Sequence, residues 1–237
     1  MDPRKRLGVL APSSNTVLEP ETVKLLPADG SISVHVSRVR VVRISERPES
    51  LAQFEPAPFL AAAELLADAH VDLILWNGTA ASWLGFERDR QLIAQIESHT
   101  HIRTTTAVIA INTALARLGA RRIGLVTPYV AGLEARIIGN YRTIGIEVAS
   151  AVRRDLTENT DYAAISPGEV ADMVRAAARE PVDAVVIMCT NLAGSSVAQA
   201  LERELGVAVL DSVRVAIQHG LELLRAPSAA RDLSRRA

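Results

Sequence analysis

The sequence predicts an α/β fold of two similar lobes, each a parallel sheet with flanking helices, related by pseudo-two-fold symmetry across a cleft. Four short apolar runs each end in a loop of small residues, as strands buried on both faces of a parallel sheet do. Helical patterns separate these runs, which is typical of βαβ units. The runs also form two similar pairs separated by roughly 110 residues, which indicates an internal duplication.

The duplication is visible in two short motifs. Arg-x-Gly-x-x-x-Pro occurs at Arg6 and again at Arg122, and Val-Asp followed by four apolar residues occurs at Val71 and again at Val182. We therefore divide the chain into an N-terminal lobe, residues 1–118, and a C-terminal lobe, residues 119–237. The C-terminal helix is a candidate for crossing back onto the first lobe.

The elements follow in order. Strands are predicted in Arg6–Asn15, Ser31–Arg43, Val71–Ser82, Arg122–Val130, Gly145–Arg153 and Val182–Met188. Helices are predicted at Ala57–Ala69, Arg88–Ser98, Gly132–Ile144, Pro167–Ala178 and Ser195–Leu205. Thr104–Arg122 and Leu210–Pro227 each read as a strand end, a loop and a helix, the first helix stopping at Gly119. We expect the tail, residues 228–237, to be frayed and solvated.

Composition limits the class of protein. The 26 basic and 27 acidic residues nearly cancel, which gives no reason to expect nucleic acid or a membrane surface as a partner. Apolar runs are shorter than the roughly 18 residues of a membrane span, and the N-terminal run is too short for a signal peptide. One cysteine excludes an internal disulfide framework. We expect a soluble, cytoplasmic protein.

The single cysteine, Cys189, lies where the last apolar run gives way to a polar loop. The carboxyl ends of strands are where open α/β sheets bind ligands, and a following helix N-terminus lowers the pKa of a nearby thiol. We predict that Cys189 is a proton donor or nucleophile. The alternative is a buried core cysteine, since free cysteine is among the most buried residue types.

Polar residues at the other predicted strand ends are candidates for binding a substrate. They are Ser14, Asn15, Gly78, Thr79, Tyr129, Asn159, Thr190 and Asn191. Backbone N–H groups at the start of the helix after Asn15 suit a carboxylate, although Asn15 also suits a helix N-cap. Tyr129 can equally cap the core with its hydroxyl in water, and Asn159 can equally shape a turn.

The two lobes differ at the most informative position. Superimposing Asp72 on Asp183 places Gly78 at the position of Cys189 and Thr79 at that of Thr190. A cysteine in each lobe would move protons on both faces of a bound carbon, whereas this chain does so from one face only. The five histidines show no metal-ligand spacing and nucleotide-binding glycine motifs are missing, so we expect no cofactor.

These loops, in this order, resemble the aspartate/glutamate/hydantoin racemase superfamily, and within it the maleate cis-trans isomerases and arylmalonate decarboxylases. The resemblance runs from Leu7 to about Leu224. It implies that Asn15, Tyr129 and Asn159 hold substrate carboxylate groups and that Cys189 is the second-lobe catalytic cysteine. The isomerases carry their first cysteine at the position of Gly78, whereas the decarboxylases carry a Gly-Thr-Ser loop, whose serine is Ala80 here.

The resemblance implies cofactor-independent chemistry at the carbon next to a carboxylate of a small dicarboxylic acid. The first hypothesis is decarboxylation of a malonate-type acid to an enediolate, held by Thr79, Tyr129 and the Thr190 N–H and protonated by Cys189. The alternatives are a maleate isomerase or racemase-like isomerase, and a non-catalytic dicarboxylate-binding protein. Apolar helical faces such as Ala57–Leu66 serve subunit contacts in a homo-oligomer as readily as the core.

Overall fold

The computed structural model describes residues 4–226, which form two four-stranded, wholly parallel sheets. The first contains β1 (Lys5–Pro12), β2 (Ile32–Val39), β3 (Leu73–Trp76) and β4 (Thr104–Thr106), in the order β2-β1-β3-β4. The second contains β5 (Arg122–Val126), β6 (Glu147–Val152), β7 (Ala184–Ile187) and β8 (Ala208–Asp211), in the order β6-β5-β7-β8. The shared order confirms the predicted α/β duplication.

Helices flank both sheets. They are α1 (Leu18–Leu25), α2 (Pro48–Ala52), α3 (Pro56–Asp68), α4 (Ala81–Leu84), α5 (Phe86–Thr100), α6 (Ala107–Leu118), α7 (Ala131–Thr143), α8 (Asn159–Ala163), α9 (Pro167–Ala177), α10 (Ser195–Leu205) and α11 (Ser212–Arg225). The longer helices lie close to their predicted bounds. The short helices α2, α4 and α8 were not predicted, because four or five residues are too few to show a helical period.

Within each lobe, the two repeated motifs are joined by hydrogen bonds at the amino ends of neighbouring strands. The Asp72 carboxylate accepts a hydrogen bond from the backbone N–H of Arg6 (2.9 Å), and the Asp183 carboxylate accepts one from that of Arg122 (2.8 Å). The Arg6 guanidinium also donates to the carbonyl of His70, as that of Arg122 donates to the carbonyl of Pro181. The residues that reveal the duplication are therefore structural.

Two predicted details were wrong. β2 does not extend to Arg43 but ends at Val39, because its neighbour β1 ends at the paired residue Pro12. Neither of the two strand–loop–helix stretches contains the expected loop. Thr106 ends β4 and also caps α6, its hydroxyl accepting the N–H of Ile109, and Asp211 ends β8 and caps α11 in the same way.

The last helix crosses back to the first lobe. A side chain at Gly220 of α11 would lie 3.6 Å from Leu7 Cδ1 and 3.7 Å from Leu73 Cδ2, so the helix packs directly on the first sheet. The strands of the two sheets fall on either side of residue 118, but that domain boundary itself stays a prediction. The predicted solvated tail, 228–237, lies outside the described residues.

Across residues 4–226, none of the helices combines the length and the apolar character that spanning a membrane requires.

The glycine of the repeated motif allows a helix to pack closely on the sheet, which predicts a stability effect. A Cβ at Gly124 of β5 would lie 2.5 Å from the carbonyl oxygen of Ala177 in α9, a backbone atom that cannot move aside cheaply. We expect Gly124→Ala to lower the free energy of unfolding by about 1–3 kcal/mol, measured by urea denaturation. Gly139→Ala is the control, because nothing lies within 4 Å of its added methyl. A Gly124→Ala protein as stable as wild type would contradict this packing.

Candidate active site

The carboxyl ends of the two sheets meet, and their polar residues form hydrogen bonds from one lobe to the other. The Asn15 amide donates to Thr190 Oγ1 (3.1 Å), and the hydroxyls of Thr79 and Tyr129 are 2.8 Å apart. All four side chains are buried. The predicted site residues from both lobes therefore lie together.

Cys189 lies two residues beyond the end of β7 and lines a cavity at this junction. The cavity has a volume of about 20 Å³, room for roughly one water molecule. Tyr129, Asn159 and Thr190 line it from the second lobe, and Gly78 and Thr79 from the first. Cys189 is only 3% exposed, as the core-cysteine alternative predicts, yet it lines a cavity that Thr79 and Tyr129 also line.

The pKa of this thiol moves in the direction opposite to our expectation. Burial raises the pKa of Cys189 to about 12, and hydrogen bonds from the Asn191 N–H and the Tyr129 hydroxyl offset burial only in part. The helix expected to lower it, α10, begins only at Ser195. Cys189 is therefore a protonated thiol at neutral pH, which suits a proton donor better than a nucleophile.

Tyr129 provides a second buried donor beside the thiol. Its ring packs edge-to-face on Tyr162, with centroids 5.8 Å apart. Burial, with the nearby Cys189 and Tyr162, raises the pKa of the Tyr129 hydroxyl well above its usual value. The hydroxyl stays protonated at neutral pH and is available, with Thr79, to donate a hydrogen bond to an oxyanion.

Ser14 and Asn159 form a second polar pair across the lobes. The Asn159 amide donates to Ser14 Oγ (2.7 Å), and that hydroxyl donates to the carbonyl of Val41 (2.6 Å). Asn159 is the first residue of the short helix α8, where the sequence had allowed a turn. Asn159 lines the cavity, and the neutral Ser14 hydroxyl binds it from the first lobe.

Asn15 and Asn191 both bind the amino end of α1. Asn15 Oδ1 accepts the N–H groups of Val17 (3.0 Å) and Leu18 (2.9 Å), and Asn191 Oδ1 accepts that of Thr16 (3.1 Å). Asn15 thus has the capping role given as one of its two interpretations. We expected these N–H groups to bind a substrate carboxylate. To do so, they would have to break their hydrogen bonds to Asn15 and Asn191.

Gly78, the counterpart of Cys189, lies under the indole of Trp76. A Cβ at Gly78 would lie 2.2 Å from Trp76 Cζ2, and real Cβ atoms essentially never come within 3.0 Å of another heavy atom. Trp76 is itself held by edge-to-face packing on Phe59, with centroids 4.8 Å apart. The indole therefore occupies the space that a first-lobe cysteine would need.

Sequence reasoning missed the segment that covers the cavity. Val41, Ile44 and Phe54, from the connection between β2 and α3, line it from outside. The Ile44 N–H donates to the carbonyl of Thr157 (2.8 Å), which fastens this connection of the first lobe to the second. The only sequence signal was the run of apolar residues continuing past Val39, which we interpreted as more strand.

Known proteins are similar to this chain over most of its length. Residues 44–235 match the family model described as "Arylmalonate decarboxylase". The chain is 25% identical to the maleate isomerase of Alcaligenes faecalis, over 97% of this chain and 96% of that protein. The structure of the maleate isomerase Iso from Pseudomonas putida S16 superposes with a TM-score of 0.86 and 25% identity, covering 94% of each chain. A Nocardia farcinica maleate cis-trans isomerase mutant with a covalently bound succinylcysteine intermediate superposes with a TM-score of 0.84 at 24% identity, over 94% of each chain.

The family match and the isomerase relatives identify this chain as an enzyme of the Asp/Glu racemase-like superfamily. Within it, the chain belongs to the arylmalonate decarboxylase family. Its relatives act as isomerases or decarboxylases on small dicarboxylic acids, which confirms the resemblance inferred from the loops.

Burial of the thiol predicts slow alkylation. With a pKa of about 12, Cys189 should react with iodoacetamide at pH 8 roughly a thousand times more slowly than free cysteine. Tyr129→Phe removes a hydroxyl that stabilises the thiolate and should slow the reaction further, by about tenfold. Tyr141→Phe is the matched control, because the Tyr141 hydroxyl is buried and has no hydrogen-bond partner within residues 4–226. Alkylation of the wild type at the rate of free cysteine would contradict the assigned burial.

Proposed function

We propose that this enzyme decarboxylates a malonate-type dicarboxylic acid and that Cys189 protonates the resulting enediolate. The observation that carries the proposal is the Trp76 indole over Gly78, because it leaves one thiol in the cleft and no space for a second. A single acid on one face is what protonation of a carbanion needs. Racemisation needs two opposed acid/base groups.

In the proposed reaction, loss of carbon dioxide comes before protonation of the α-carbon. The bond between the α-carbon and one carboxylate breaks, carbon dioxide leaves, and the electron pair stays on the enediolate. The S–H bond of Cys189 then breaks as the α-carbon takes its proton, which leaves a monoacid and a thiolate. Protonation comes from one face, so a prochiral substrate would give one enantiomer.

Neutral donors hold the developing oxyanion in this proposal. The hydroxyls of Thr79 and Tyr129, already 2.8 Å apart, and the backbone N–H of Thr190 bind the enediolate oxygens. Such preorganised donors are typically worth about 3–4 kcal/mol each in a transition state. Ser14, Asn15, Asn159 and Asn191 hold the carboxylate that remains. Because the cavity has room for about one water molecule, a substrate enters when the covering segment moves.

Maleate isomerisation is the second candidate, and the relatives favour it. Maleate isomerases match nearly the whole chain, and one related structure holds a covalently bound succinylcysteine intermediate. Here Cys189 would have to add to the double bond and also supply the proton. A buried thiol that keeps its proton is a weak nucleophile at neutral pH, which supports decarboxylation over addition of Cys189 to a double bond.

Proton NMR in heavy water tests the proposal with a panel of maleate, aspartate, and aryl and alkyl malonates. We expect release of carbon dioxide from a malonate, with one deuterium at the α-carbon of the product. Cys189→Ala should lower kcat by at least about a hundredfold, because the general acid is lost. Ser196→Ala, on the exposed surface of α10, should leave turnover unchanged.

Three outcomes would contradict decarboxylation with Cys189 as the proton donor. Fumarate formed from maleate would identify an isomerase. Unchanged turnover and deuterium uptake by Cys189→Ala would remove Cys189 from the mechanism. Binding of dicarboxylates without turnover of any would identify a binding protein. A cytoplasmic location and assembly into a homo-oligomer stay predictions.

A further inference from the structure

Asp211 is a buried carboxyl group that the mechanism above does not use. It ends β8, and its Oδ1 caps α11 by accepting the N–H of Arg214 (2.9 Å). Its Oδ2 is buried without a hydrogen-bond partner among the described residues. Burial raises the pKa of Asp211 to about 7. A buried, half-satisfied carboxyl group is costly, and such a group often has a role beyond the fold.

The strand order places Asp211 beside the strand that carries the thiol. Asp211 pairs in register with Ile187 of β7, and Cys189 follows two residues later. The turn after Cys189 folds back over the carboxyl group, because a Cβ at Gly194 would lie 2.7 Å from Asp211 Oδ2. Burial is the main cause of the raised pKa of Cys189, and the charge of Asp211 raises it further.

Glu21 of α1 acts electrostatically on Asp211, and further buried polar groups are next to each of them in the sequence. The charge of Glu21 in α1 raises the pKa of Asp211, and that of Arg214 in α11 lowers it. The charge of Asp211 in turn raises the pKa of Cys189. Thr22, next to Glu21, and Ser212, next to Asp211, carry buried hydroxyls without hydrogen-bond partners among the described residues. Buried unpartnered polar atoms of this kind are where ordered water is found.

We propose that Asp211 returns a proton to Cys189 after each turnover, which rests on the proposed function because it presumes a thiolate product. The O–H bond of the Asp211 carboxylic acid breaks and an S–H bond forms on Cys189, directly or through one water. Solvent then reprotonates the Asp211 carboxylate from the side of Glu21. Asp211 thereby acts on the substrate only through Cys189.

The acidities of the neighbouring groups agree with this direction of transfer. A carboxylic acid with a pKa of about 7 gives its proton readily to a thiolate whose conjugate acid has a pKa of about 12. Tyr129 also contacts the thiol, but its pKa is raised above that of an ordinary tyrosine, so it holds its proton more tightly.

Asp211→Asn tests the transfer, since asparagine keeps the helix cap and removes the proton. In rapid-quench experiments on a substrate that the wild type turns over, the first turnover uses the proton already on Cys189. We expect a burst of one product per protein at the wild-type rate, followed by steady-state turnover slowed about a hundredfold. Asp172→Asn, the same change at an exposed position of α9, should show neither effect.

A merely structural defect would slow the first turnover and the later ones equally, and that result would overturn the proposal. So would an Asp211→Asn protein with wild-type steady-state turnover. The burst separates a missing proton return from a damaged site, because damage affects every turnover.

Two measurements need no substrate and keep this proposal distinct from the proposed function. Asp211→Asn should speed alkylation of Cys189 at pH 8 by about tenfold, because a negative charge that opposes the thiolate is lost. If Asp211→Asn does not fold, Asp211→Ser keeps a capping hydroxyl, and the titration of the Cys189 thiol in it, followed by ultraviolet absorbance, should shift to lower pH than in wild type. If the alkylation rate or the titration is unchanged, the two groups do not interact and the proposal fails, whether or not any acid is turned over.

Discussion

The structure depends on a set of hydrogen bonds between uncharged side chains, which joins the carboxyl ends of the two sheets and which we call the seam. Asn15 bonds to Thr190, Ser14 to Asn159 and Thr79 to Tyr129, and Asn191 reaches the amino end of α1. Each pair takes one residue from either lobe. Because these groups are uncharged, they are buried at the modest cost of hydrogen-bonded polar groups and avoid the large cost of buried ions. The cavity exists because this seam holds the lobes together.

Burial at the seam also decides what the thiol can do. If it were exposed to solvent, Cys189 would have an ordinary pKa, and above neutral pH its thiol would be partly ionised and reactive. Excluded from water, with the carboxyl group of Asp211 nearby, it keeps its proton. The same environment keeps the Tyr129 hydroxyl protonated. One physical effect, desolvation, thus prepares both an acid and an oxyanion donor.

The asymmetry of the site has a steric origin as well as a chemical one. In the sequence, Gly78 means that the first lobe lacks a thiol at this position. In the structure, the Trp76 indole packs directly against Gly78 and leaves no space for a side chain there. The family model that this chain matches is named for a decarboxylase, whereas its curated relatives are named for an isomerase. Trp76 bears on that difference because it fills the space from which a second residue would act.

The sequence by itself determined the duplicated α/β fold, the longer helices and the gathering of the polar loops around Cys189. These follow from local patterns, namely apolar runs, helical periods and small residues at strand ends. Only the tertiary structure decided the pKa of Cys189, the cover formed by Val41, Ile44 and Phe54, the indole over Gly78 and the position of Asp211. Each of these depends on residues far apart in the chain, and desolvation and steric exclusion arise only once such residues pack together.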